Sequence, residues 1–127
     1  MTFASLLLTG GVGLAGALGA VARYLLGSFI SEHTSSAFPS GTLIINVSGA
    51  FVIGLIFAFT SRGFLSAATQ TVLATGFLGG YTTFSTMSWE AFQLMRGALP
   101  RGLLYLGLTY VLGLGAEILG LLVGRAL

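Results

Sequence analysis

Cysteine and lysine are both missing from this chain, and charge is scarce. Its 127 residues carry five Arg and three Glu, 6% charged in all. The lack of cysteine excludes disulfides and thiolate metal sites. A soluble domain carries roughly 25% charged residues, so an ordinary soluble fold is excluded as well. Five scattered arginines do not make the clustered basic face that nucleic acid requires. The one histidine, His33, stands in a short polar connection, with no nucleophile–base pair or metal-ligand grouping around it in sequence. An enzyme is therefore not expected. What is present is apolar: 55% hydrophobic residues and a mean hydropathy of +1.00. The expected class is a small, all-α integral membrane protein forming a single four-helix transmembrane domain over residues 1–127.

Four hydrophobic stretches are near or above the roughly 20 residues that a spanning helix needs. They cover about 3–30, 42–60, 67–95 and 102–124. The connections are short, and Pro39 and Pro100 fall in two of them. A signal peptide would begin with positive charge, whereas the first basic side chain is Arg23, so the first stretch is read as a retained helix. Small residues mark candidate packing faces: Gly13, Gly16 and Ala20 in the first span, Gly76 and Gly80 in the third, Gly120 and Gly124 in the fourth.

Orientation is evenly weighted. Arg62 and Arg125 fall on one side of the membrane, and Arg96 and Arg101 on the other. The positive-inside rule counts Lys and Arg near the membrane ends, and here the two sides balance. One expectation is insertion in both orientations with pairing as an antiparallel dimer. The other is a weak bias set by the free N-terminus.

The third span carries the most distinctive run, G-F-L-G-G-Y-T-T-F-S-T-M-S from Gly76 to Ser88. Three glycines and five hydroxyl residues weaken a helix at a depth where irregular backbone is tolerated only if it is buried in protein or lines a path. A break here would expose carbonyl oxygens able to coordinate a small cation. Beyond it, Phe84 and Met87 are three apart and are expected to share a face with Ser88, with Ser85 one position round. The edge of a phenyl ring carries partial positive charge and can face an anion; ordinary packing is the other reading of Phe84. Asn46 stands alone in the second span, either as interhelical glue or as a donor to an anion. Arg23 either snorkels to the interface or supplies positive charge to a protein-lined path. In the fourth span Tyr105, Thr109 and Gly113 follow at i, i+4 and i+8. Glu90, near the end of the third span, reads as solvated beside Arg96, while Glu117 is deeper in the fourth.

These motifs resemble the Fluc fluoride channels, the CrcB family. The resemblance runs through G-A-V-A-R-Y-L-L-G in the first span, G-T-L-I-I-N-V-S-G in the second and the Gly76–Ser88 run in the third. It implies an antiparallel, dual-topology homodimer with two fluoride pores, in the plasma membrane of a bacterium (the inner membrane). It implies a third helix broken at mid-membrane. It also implies one structural Na+ at the dimer centre, held by main-chain carbonyls at Gly79 and Thr82. Asn46 becomes the pore-lining amide, Phe84 the first of two ring edges facing fluoride, and Arg23 a vestibule residue. Thr83, Ser85, Thr86 and Ser88 belong to the same pore motif, and Tyr105 and Thr109 to a polar track along it. Two positions depart from the family pattern. Met87 stands where a second phenylalanine is usual, and Gly113 where other members can place a hydroxyl.

The implied function is passive export of fluoride by electrodiffusion, in contact with lipid and a second copy of the chain. A four-span proton-coupled exporter of organic cations is the alternative. That class needs a membrane-embedded carboxylate, for which Glu117 is the candidate. A structural membrane subunit without transport would leave the hydroxyl-rich third span unexplained.

Overall fold

The computed structural model describes residues 1–127, and every regular element in it is helical. Helix α1 is Phe3–Glu32 and α2 is Ser40–Ser61. Helix α3 covers 67–81, α4 is Phe84–Gly97, and α5 is Leu99–Ala126. Local chemistry sets several of these ends. The Thr2 hydroxyl accepts from the Ser5 N–H and caps α1, and Ser66 caps α3 by accepting from the Thr69 N–H. Pro39 immediately precedes α2, and Pro100 lies in the first turn of α5, where its missing N–H costs nothing. Gly63 alone has positive φ, at 79°, in the turn between α2 and α3.

Helices α1, α2 and α5 are each long and apolar enough to cross a membrane. Helix α4 has 14 residues, about 21 Å of rise and short of a roughly 30 Å hydrocarbon core. The stretch 67–95, expected as one hydrophobic span with a break at mid-membrane, is carried by α3 and α4. Only 17 of 127 residues are buried, while Leu14, Leu18, Val21, Leu103, Val111 and Leu122 all face outward. An apolar exterior on this scale belongs against lipid or another protein surface rather than water.

Glycine allows close backbone approach at two interfaces. Between α2 and α5, a Cβ on Gly54 would collide with the Glu117 carbonyl oxygen, and one on Gly120 with the Phe51 carbonyl oxygen. Between α1 and α3, a Cβ on Gly19 would strike the Phe77 carbonyl oxygen, and one on Gly80 that of Gly16. The Gly76/Gly80 and Gly120/Gly124 pairs therefore pack helices within the chain. Gly13 meets nothing within 4 Å and has no such role here.

Within α3, residues Thr71–Leu78 are wound as a π-helix, and the Gly79 N–H reaches back five residues to the Ala74 carbonyl. Such wide turns recur at functional sites. Helix α3 ends three residues later.

Candidate functional site

The chain leaves the helical conformation at two residues. Thr82 has φ −78° and ψ 161°, and Thr83 has φ −147° and ψ 116°; helix resumes at Phe84. A continuous helix would direct the Thr83 N–H to the Gly79 carbonyl. Instead it donates to Asn46 Oδ1 at 2.9 Å, and Asn46 Nδ2 donates to the Thr83 carbonyl at 3.0 Å. One carboxamide from α2 thus satisfies both backbone groups of Thr83, as a neighbouring strand would. Arg23 Nη1, from α1, donates to the Thr82 carbonyl at 3.1 Å. The Thr83 hydroxyl accepts from the Thr86 N–H at 3.2 Å, capping α4, and donates to Thr86 Oγ1 at 3.0 Å.

Of these residues, Arg23, Thr83 and Thr86 form the inner end of a cavity of about 620 Å³ that begins at the α1–α2 connection. Its walls include Ser28, Ser31, Ser40, Thr42, Thr83 and Thr86, with Arg23 and Glu90 the charged members. Glu90 accepts from Thr42 Oγ1 and from Tyr105 Oη, both at 2.9 Å, one on each carboxylate oxygen. Arg96 donates to Gln93 instead, at 3.4 Å. The reading of Glu90 as simply solvated is therefore corrected. Its tethers come from α2 and α5, 48 and 15 residues away in sequence.

The residues singled out from sequence fall into different places. Arg23, Thr83 and Thr86 line the cavity, and Asn46 holds Thr83 at its inner end. Gly79 is exposed and Thr82 half-buried at the interruption. Ser85 is exposed and Ser88 half-buried on α4. Tyr105 is fully buried behind Glu90, and the Thr109 hydroxyl is spent on the Tyr105 carbonyl at 2.9 Å. Phe84 and Met87 do not share a surface: Phe84 is 72% exposed, whereas Met87 is 4% exposed and packs with Ala91 and Tyr105. Residues three apart on a helix differ by about 60° in direction. On α4, which is buried on one side only, that angle separates the outer face from the core. Thr42 was not singled out from sequence. Its hydroxyl at the fourth residue before Asn46 was the available signal.

Long apolar helices around a polar cavity that ends on an interrupted helix define a multi-pass membrane protein with a small, donor-rich site. The family model described as CrcB-like protein, Camphor Resistance (CrcB), matches residues 11–121, and the chain belongs to this family. Similar proteins include the fluoride-specific ion channel FluC of Aquifex aeolicus, 42% identical over 118 residues, 91% of this chain and 95% of that one. FluC of Acidobacterium capsulatum is 43% identical over 116 residues, 90% of this chain and 93% of that one. FluC of Thermus thermophilus is 41% identical over 117 residues, 91% and 94% respectively.

Proposed function

We propose that this protein is a fluoride channel that lets fluoride leave the bacterial cytoplasm across the inner membrane by passive electrodiffusion. The observation that carries the reading is the cavity running to the interruption at Thr82–Thr83, walled by hydroxyls and ending at Arg23. Fluoride holds its hydration shell tightly, so a pore must replace water with fixed N–H and O–H donors. Thr86 and Ser88 keep hydroxyl protons that no protein group accepts, Thr83 spends its own on Thr86 and so fixes that hydroxyl, Ser85 lies beside Thr83, and the second hydrogen of the Asn46 amide remains for an anion. Arg23 gives the inner end of the cavity a positive charge that attracts anions there, while the Glu90 carboxylate elsewhere in the wall is held by Thr42 and Tyr105. A negative-inside potential favours anion exit by about 2.3 kcal/mol per charge per 100 mV. Tyr105 and Thr109 support the wall from behind Glu90 and continue the polar track only through it.

An antiparallel, dual-topology homodimer fits two features. Arg62 donates to the Gly124 carbonyl at 2.9 Å, so Arg62 and Arg125 share one end of the bundle, while Arg96 and Arg101 flank the corner at the other. Phe84, turned outward, is where a second copy would meet the pore motif. A structural Na+ also fits the donor chemistry. Diversion of the Thr83 N–H to Asn46 leaves the Gly79 carbonyl without its helical donor, and the Thr82 carbonyl has one lone pair beyond the Arg23 bond. Gly79 and Thr82 would hold the ion together with the same atoms of a second copy. Bound there, it would supply positive charge that pins the interruption.

The test is purified protein in fluoride-loaded liposomes, with efflux read by a fluoride electrode after the potential is clamped. Efflux well above protein-free vesicles is expected; a rate equal to theirs ends the channel reading.

A further inference from the structure

Three consecutive residues at the interruption are each held by a different side chain. Thr83 is held by Asn46 and Thr82 by Arg23, and each of those contacts includes one residue of the cavity wall, Thr83 or Arg23. The third tether lies outside the cavity. Ser48 Oγ and Tyr81 Oη are 2.8 Å apart, joining α2 to the last residue of α3. Ser48 Oγ also donates to the Ile45 carbonyl at 3.0 Å, which uses its one proton, so the Tyr81 hydroxyl is the donor in the contact. The Tyr81 ring is stacked on Phe77, with centroids 6.1 Å apart and planes at 15°. The ring also lies beside Gly49, where a Cβ would be 3.4 Å from Tyr81 Cδ1.

From this we infer that Ser48 and Tyr81 are a positioning pair that sets the anion selectivity of the proposed channel, a role that rests on the fluoride-channel reading above. Because Thr82 and Thr83 are extended and the Thr83 N–H points to α2, the helical ladder does not carry across the interruption. The last turn of α3 is seated on α1 by its backbone and on α2 by the Ser48–Tyr81 tether, and its position sets where Thr83 stands and, through the Thr83 cap on α4, where the Thr86 hydroxyl points in the cavity wall. Discrimination against a larger anion depends on donors that cannot move apart, within about 0.5 Å of their working positions. Removing the Ser48–Tyr81 bond leaves every donor chemically intact and only frees it to move. Fluoride passage then changes little, while the larger halide is rejected less well.

The experiment measures initial fluoride and chloride efflux from separately loaded liposomes for the wild type, Ser48→Ala, Tyr81→Phe and the double variant. Each single variant is expected to lower the fluoride-to-chloride rate ratio about fivefold, the size of one neutral hydrogen bond. The double variant should lower it no further, because both substitutions remove the same bond. Tyr81→Phe keeps the ring on Phe77 and so isolates the hydroxyl even where Ser48→Ala fails to fold. Wild-type ratios in the single variants, or losses that add in the double variant, overturn the pair's role. A wild type that passes no fluoride overturns the channel reading itself, a result distinguishable from the first.

Discussion

Asn46 grips Thr83 with both ends of its carboxamide, at 3.0 Å to the carbonyl and 2.9 Å from the N–H. Two extended residues in the middle of a helical chain would otherwise leave polar backbone groups without their helical partners. The interruption and the asparagine are therefore one structural unit, contributed by two helices.

Asn46→Asp tests both duties of that unit. A carboxylate can still accept from the Thr83 N–H, but it presents an oxygen, not a donor, to the Thr83 carbonyl. It also places negative charge beside the anion path. At an effective dielectric near 20, a charge a few ångströms from the ion slows flux on the order of a hundredfold. Asn46→Ala removes the clamp without adding charge and should cost about 1–3 kcal/mol of stability. Efflux and thermal unfolding in detergent read the two effects apart. An Asp variant that conducts and melts like the wild type would remove Asn46 from both roles.

Arg23→Gln keeps a donor for the Thr82 carbonyl but removes the charge from the cavity. Fluoride flux should fall several-fold at low ionic strength. The deficit should shrink as salt rises, since the Debye length drops from about 30 Å at 0.01 M to about 3 Å at 1 M. Flux measured across a series of impermeant-salt concentrations gives the answer. A deficit independent of salt would assign Arg23 to holding the Thr82 carbonyl alone.

Composition and spacing made the helical membrane class readable, because long apolar runs are local properties of the sequence. The Gly76–Ser88 run was readable for the same reason: its glycines and hydroxyls are too dense for an ordinary span. Partner choice was not readable. Glu90 looks like a neighbour of Arg96 when only sequence distance is counted, yet its oxygens are claimed by Thr42 and Tyr105 on other helices. Likewise the spacing of Phe84 and Met87 suggests a common face. Which side of α4 is covered depends on α5, and Met87 falls on the covered side. Asn46 was legible as an amide needing a partner, but not as the reason the Thr83 N–H leaves the helix.

The α2–α5 interface gives a paired prediction. Gly120→Ala would push a methyl into the Phe51 carbonyl, backbone against backbone, with no flexible side chain to yield. Forced separation of the helices should cost about 1–3 kcal/mol. Gly97, the last residue of α4, has open space where a side-chain methyl would stand, with nothing within 4 Å. Gly97→Ala should therefore be neutral or stabilising by up to about 1 kcal/mol. Thermal unfolding in the same detergent compares them. The opposite ordering would mean that the close approach of α2 and α5 is not what holds them together.

Met87→Phe addresses the position where the family resemblance implies a second phenylalanine. Met87 is 4% exposed and lies against Tyr105, whose hydroxyl in turn holds Glu90 at 2.9 Å. A rigid ring in a slot filled by a flexible thioether should overpack it by about 1–3 kcal/mol, while Met87→Leu should cost less than about 1.5 kcal/mol. The strain has a direction: it presses on Tyr105 and through it on Glu90 in the cavity wall. Met87→Phe should therefore alter fluoride flux more than Met87→Leu does, as well as lower the melting temperature. Equal stability and equal flux in both variants would show that the core beside Tyr105 has room for the aromatic, and that methionine here is not tuned to the wall it supports.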